Sequence, residues 1–128
     1  MSLQAALFDL DGTLVDTAMI AERALRAAFE RARLAGDPPL RAFGELAGRS
    51  LEDIFALLEL PAELALYFRS AATTMVADSQ LFPGAGELLE ELRARRVKIG
   101  VITGKERLRT VAVLRHLGID TAVQALVC

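Results

Sequence analysis

Apolar and polar positions along this chain follow two rhythms. Gln4 to Leu10 (QAALFDL) is a short apolar run closed by Asp-Gly, the pattern of a buried strand. From Thr17 to about Ala35 the apolar residues recur at helical spacing. Ala21, Leu25, Ala28, Phe29 and Ala32 share one face, while Glu22, Arg26, Glu30 and Arg33 face away. Gly36-Asp37-Pro38-Pro39 ends that helix, and a short one follows around Leu40 to Ala47. Ser50, with Asp53 three residues on, has the form of an N-cap for a turn running to about Leu60. Pro61 suits a first helical position, with helix from Ala62 to Val76. The stretch from 17 to 80 is therefore predicted to be almost wholly helical.

Phe82-Pro83-Gly84 breaks this pattern, and Ala85 to Arg95 predicts a helix with Leu88, Leu89 and Leu92 inward. Val97 to Ile102 (VKIGVI) is a second short strand, rich in β-branched residues. Lys105 to Leu117 predicts a helix with Leu108, Val111, Leu114 and Leu117 on its apolar side and Gly118 as its stop. Ala122 to Val127 would be a third strand. Strand–helix–strand in the last third implies a parallel sheet covered by helices, hence an α/β fold of Rossmann-like type with about three strands.

Composition narrows the function classes. At 128 residues, 53% hydrophobic and 25% charged, the chain matches a globular domain, which argues against disorder. A formal charge of -2 gives no reason to expect nucleic acid or an anionic membrane as partner. No apolar run approaches the roughly 20 residues needed to cross a bilayer, and the N-terminus lacks the order of a signal peptide. The lone cysteine, Cys128, cannot form an internal disulfide, so a cytoplasmic setting is expected.

The candidate chemistry lies in Phe8 to Thr17, FDLDGTLVDT. Asp9 and Asp11 leave the end of a predicted strand and meet a glycine, and parallel sheets bind ligands at the carboxyl ends of their strands. Thr103-Gly104 follows the second strand at its own carboxyl end. Two strand ends would thus present two carboxylates, a hydroxyl and Gly-rich backbone to one crevice. Asp11-Gly12 between apolar flanks also suits a two-residue hairpin turn, and two aspartates beside a glycine also suit a solvated loop. A calcium loop is excluded, because its sixth position would be Leu14 and its twelfth Ile20.

FDLDGTLVDT resembles the first motif of the haloacid dehalogenase-like (HAD) superfamily, a strand followed by DxDGT. About seventy residues on, LFPGAGELLEELRARRVKIGVITGK resembles that family's second-motif region, and LRHLGID the approach to its third strand. The resemblance implies a catalytic core of residues 1–15 and 81–128 interrupted by an α-helical cap, 16–80, of the type that closes over small substrates. It implies Asp9 as nucleophile in phosphoryl transfer and Asp11 as general acid and base. The second aspartate points away from dehalogenation, since dehalogenases of the family lack it. Phosphate would be held by the Leu10 N–H, Thr103 and Gly104, and Mg²⁺ by the Asp9 carboxylate and the Asp11 carbonyl. Asp16 or Thr17 would cap the next helix. Arg49, near the family's substrate-selecting loop, would contact an anionic substrate group or stand in a solvated turn.

The remaining charged residues have simpler readings. His116 sits near a helix C-terminus and suits solvent or the helix dipole. Arg93, Arg95, Arg96 and Lys98 read as a solvated helix end, since no aromatics interleave them. Lys105 stands where related phosphatases often carry a lysine, and is distinct from the family's catalytic lysine further along. That later lysine and the acidic Gly-Asp motif completing the Mg²⁺ site do not occur before Cys128. The expectation is therefore an incomplete core in a truncated chain that is inactive by itself, with a dimer possible as cover for the open first strand. The implied full-length activity is Mg²⁺-dependent hydrolysis of a small soluble phosphate monoester, of the phosphoglycolate-phosphatase kind. The alternatives are a sugar phosphomutase of the β-phosphoglucomutase kind and a catalytically dead binding module.

Overall fold

The computed structural model describes residues 2–128. They form two compact units, one of Ala18–Asp78 and one of the residues up to Thr17 together with Ser79–Cys128.

The helical unit contains α1 (Ala18–Ala32), α2 (Leu40–Glu45), α3 (Leu51–Leu57) and α4 (Leu64–Thr74), closed by a 3-10 turn at Val76–Asp78. Along α1 the buried stripe is Ile20, Ala24, Leu25, Ala28 and Phe29, so it is rotated from the predicted one and leaves Ala21 and Ala32 half-buried. The small side chains let α1 lie close along α4, which contributes Leu64, Ala65, Phe68 and Ala72. Three rings fill the remaining space. Phe43 of α2 sits 5.8 Å from Phe55 of α3 and 5.4 Å from Phe68 of α4, and Phe55 meets Phe68 edge-on at 6.3 Å. Ser50 caps α3 as its spacing predicts, with its Oγ accepting from the Asp53 N–H at 3.1 Å. Pro61 lies outside α4. A turn closed by the Leu64 N–H on the Pro61 carbonyl precedes the helix, and the first i to i−4 bond runs from the Tyr67 N–H to the Glu63 carbonyl.

The α/β unit contains β1 (Ala5–Phe8), β2 (Val15–Asp16), β3 (Gln80–Leu81), α5 (Ala85–Ala94), β4 (Lys98–Ile102), α6 (Arg107–His116), a 3-10 turn at Asp120–Ala122 and β5 (Ala125–Val127). Its main sheet has the order β1-β4-β5, all parallel. Phe8 lies beside Val101 and Val101 beside Leu126, so the carboxyl ends of β1 and β4 come out together. β2 and β3 form a separate antiparallel ribbon, Val15 beside Leu81. At two residues each, these strands are too short to leave a periodic signal.

Ile99 and Val101 point to the covered side of the sheet and are buried with Leu89 and Leu92 of α5 and Val113 and Leu114 of α6. Leu7, Ile102 and Val127 share the opposite face and are exposed. Leu7 leans across Gly100, where a Cβ would stand 2.6 Å from Leu7 Cδ2. Among the described residues β1 pairs with β4 alone, leaving its other edge open.

Two inward assignments fail here. Leu108 is 86% exposed and Leu88 44%. Each three-residue step falls about 60° short of a helical turn. Leu108, Val111, Leu114 and Leu117 therefore wind half-way round α6, and the stripe actually buried is Thr110, Val113 and Leu114.

Phe55, 1% exposed, anchors the ring cluster. Phe55→Ala is expected to cost about 3–5 kcal/mol in urea unfolding, and Ser50→Ala about 1 kcal/mol.

Candidate active site

The loop after β1 is folded around one buried residue. Leu10 is fully buried, and its carbonyl accepts from the N–H groups of Thr13 (3.2 Å), Leu14 (3.0 Å) and Val15 (3.1 Å). Leu14 and Val15 are buried too, so the loop is pinned by apolar side chains on both sides of its bend. Gly12 makes that bend with φ at 77°, a conformation L side chains rarely adopt, and its N–H donates to the Val15 carbonyl at 2.9 Å. Asp9 and Asp11 flank the buried Leu10, Asp9 exposed and Asp11 half-buried.

The hairpin reading of Asp11-Gly12 does not hold, since β1 pairs in parallel with β4 and β2 pairs with β3. Asp9 Oδ1 accepts from the Leu10 N–H at 2.7 Å. That N–H, expected to bind phosphate, is thus engaged by the adjacent carboxylate. Asp11 Oδ1 accepts two donors at 2.9 Å each, the Thr17 hydroxyl and the Lys105 ammonium. Thr17, directly before α1, therefore directs its hydroxyl proton to Asp11.

The second strand end arrives through β4. Thr103 is buried, its N–H donates to the Val127 carbonyl at 2.9 Å, and its Oγ1 accepts from the Lys105 N–H at 3.2 Å. Gly104 is exposed beside it. Lys105 continues across to Asp11, with its side chain only 10% exposed. The ion pair joins residues 94 positions apart and brings Thr103-Gly104 into the neighbourhood of the two aspartates. Lys105 is the residue the sequence left without a role at this site. The available signal was its position two residues beyond Thr103 and its rarity, because Lys98 is the only other lysine.

The other candidates lie elsewhere. Arg49 is exposed in the α2–α3 loop of the helical unit, with its N–H on the Leu46 carbonyl. His116 and Cys128 are exposed. An open groove of about 900 Å³ is lined by Leu81, Phe82, Pro83, Leu117, Ile119 and Ala122 among others, none of them a predicted site residue. For a hard cation the chain offers oxygens of suitable chemistry at Asp9 and Asp11. Among the described residues, however, no group of three or more acidic, histidine or cysteine side chains is placed to hold a metal. These residues do not compose a Mg²⁺ site by themselves.

A profile of the haloacid dehalogenase-like hydrolases matches residues 6–128. The chain belongs to that family. It is 32% identical over 140 aligned positions to an N-acetylmuramic acid 6-phosphate phosphatase of Pseudomonas putida, covering 100% of this chain and 60% of the relative. It is also 32% identical to a phosphoglycolate phosphatase of Agrobacterium fabrum, covering 96% of this chain and 57% of that one. Among solved structures, Protein Tyrosine Kinase A of Mycobacterium tuberculosis superposes with a TM-score of 0.81 at 28% identity, over 98% of this chain and 60% of that one. The chain thus spans about 57–60% of the length of these three relatives.

In this haloacid dehalogenase-like loop no atom beyond Gly12 and its two chain neighbours lies within 4 Å of a Cβ built on Gly12, so substitution there strains backbone alone. Gly12→Ala should cost about 1–2 kcal/mol in urea unfolding, with Gly12→Asn less.

Proposed function

We propose that this chain carries the phosphoryl-transfer half of a phosphatase acting on small soluble phosphate monoesters, working through an aspartyl-phosphate on Asp9. The carrying observation is the ion pair between Lys105 and Asp11, which gathers the ends of β1 and β4 around two carboxylates. Family membership and the phosphatases among the relatives support the substrate class.

In this reading Asp9 attacks phosphorus as the ester P–O bond breaks, and the leaving alkoxide takes a proton from Asp11. Asp9 Oδ1 is held by the Leu10 N–H, which leaves Oδ2 to attack. Asp11 then takes a proton from the water that attacks the acyl phosphate, releasing inorganic phosphate and restoring Asp9. Thr103 and Gly104 would bind phosphate oxygens where charge builds up, and Arg49 of the helical cap would meet an anionic substrate group. Mg²⁺, when bound, would offset charge between carboxylate and phosphate. Asp9 and the Asp11 carbonyl would hold it together with ligands beyond those of the described residues. For that reason the 128-residue chain is expected to turn over little by itself. A cytoplasmic setting suits such a substrate, and the open edge of β1 leaves room for a second copy.

The test is hydrolysis of a panel of phosphate esters by the full-length protein with Mg²⁺ present and after its removal by chelation. Asp9→Asn should abolish turnover and the acid-stable phosphate label on the protein. Asp11→Asn should slow turnover by about 10²–10⁴-fold. Normal turnover by Asp9→Asn would refute the assignment, and a requirement for a sugar bisphosphate would redirect it to a mutase.

A further inference from the structure

Asp11 is held in an asymmetric way. Both of its recorded donors, Lys105 Nζ and Thr17 Oγ1, reach the same oxygen, Oδ1, at 2.9 Å. Both lie downstream of Asp11, Thr17 six residues on just after β2 and Lys105 ninety-four residues on, beyond β4. Lys105 is not a free surface cation that happens to lie nearby. Its ammonium is at the end of a side chain that is 10% exposed, and its own N–H is tied to Thr103 Oγ1.

Carboxyl chemistry gives this asymmetry a consequence. An oxygen that receives an ammonium proton and a hydroxyl proton has its lone pairs engaged as an acceptor, whether the group is a carboxylate or a carboxylic acid. In the acid form the oxygen accepting both donors is the carbonyl-type one, and the hydroxyl proton resides on the other. Resting on the phosphatase reading above, we propose that Lys105 and Thr17 are positioning residues that clamp Asp11 by Oδ1, so that Oδ2 is the oxygen that exchanges the proton with the leaving group and with water. Orientation of this kind matters because proton transfer requires the acid within hydrogen-bond reach of the departing oxygen.

Two measurements test this. In the 128-residue chain the clamped Lys105 ammonium should give a resolved proton–nitrogen NMR correlation at low temperature, weakened or lost in Asp11→Ala. Absence of that signal from the parent chain overturns the clamp. In the full-length protein, kcat/KM is compared for an alkyl phosphate, whose leaving group needs a proton, and p-nitrophenyl phosphate, whose leaving group does not. Lys105→Met and Thr17→Val should each lower the ratio of alkyl to p-nitrophenyl kcat/KM, by about tenfold for Lys105→Met, within the range open to a general acid. Thr17→Ser, which keeps the hydroxyl, should restore the ratio. A loss of equal size on both esters would mark a merely structural role and overturn the proposal. If the parent enzyme hydrolyses neither ester, or Asp9→Asn equals it, the phosphatase reading itself fails and the proposal with it.

Discussion

Parallel pairing of β1 with β4 is the constraint on which the candidate site depends. A parallel ladder forces both strands to point the same way, so whatever follows β1 and whatever follows β4 must emerge on one side of the sheet. Asp9 and Asp11 follow the first strand, and Thr103, Gly104 and Lys105 the second. The register, with Phe8 beside Val101, sets the two loops level, and the Lys105–Asp11 ion pair closes the gap between them. A one-residue slip would turn the buried Ile99 and Val101 to the open face and move Thr103 out of the buried position from which it orients Lys105.

The same sheet shows what burial does and does not supply. One face is covered, with Ile99 and Val101 near 1% exposed, whereas Leu7, Ile102 and Val127 stay open on the other. The site loop compensates locally. Leu10, Leu14 and Val15 are sunk into the interior, and three N–H groups converge on the Leu10 carbonyl. This pins the backbone between the two aspartates without drawing either side chain inward, which is how a polar pair can be rigidly placed and still accessible.

Much of this could be read from residue order. The apolar runs at QAALFDL and VKIGVI, the Ser50 cap and the Gly118 stop are local signals, set by the φ/ψ preferences and side-chain reach of a few adjacent residues. Where reading by spacing failed, the cause was geometric. Leucines three apart look like a stripe in sequence but wind around α6, leaving Leu108 exposed. Pro61 suits a helix start, yet hydrogen bonding begins the regular helix at Leu64. The β2–β3 ribbon joins residues about sixty-five apart through two-residue strands, and no local pattern announces such a pair.

The sequence by itself determined the alternation of strands and helices, the placing of two aspartates and a Thr-Gly pair just past strand ends, and a formal charge of only -2. These follow from properties of neighbouring residues. Only the tertiary structure decided what each polar atom holds. The Thr17 hydroxyl went to Asp11, the Leu10 N–H went to Asp9, and Lys105 became the cation of the site. Those partnerships depend on sheet order and register, which bring together atoms that one-dimensional spacing leaves unrelated.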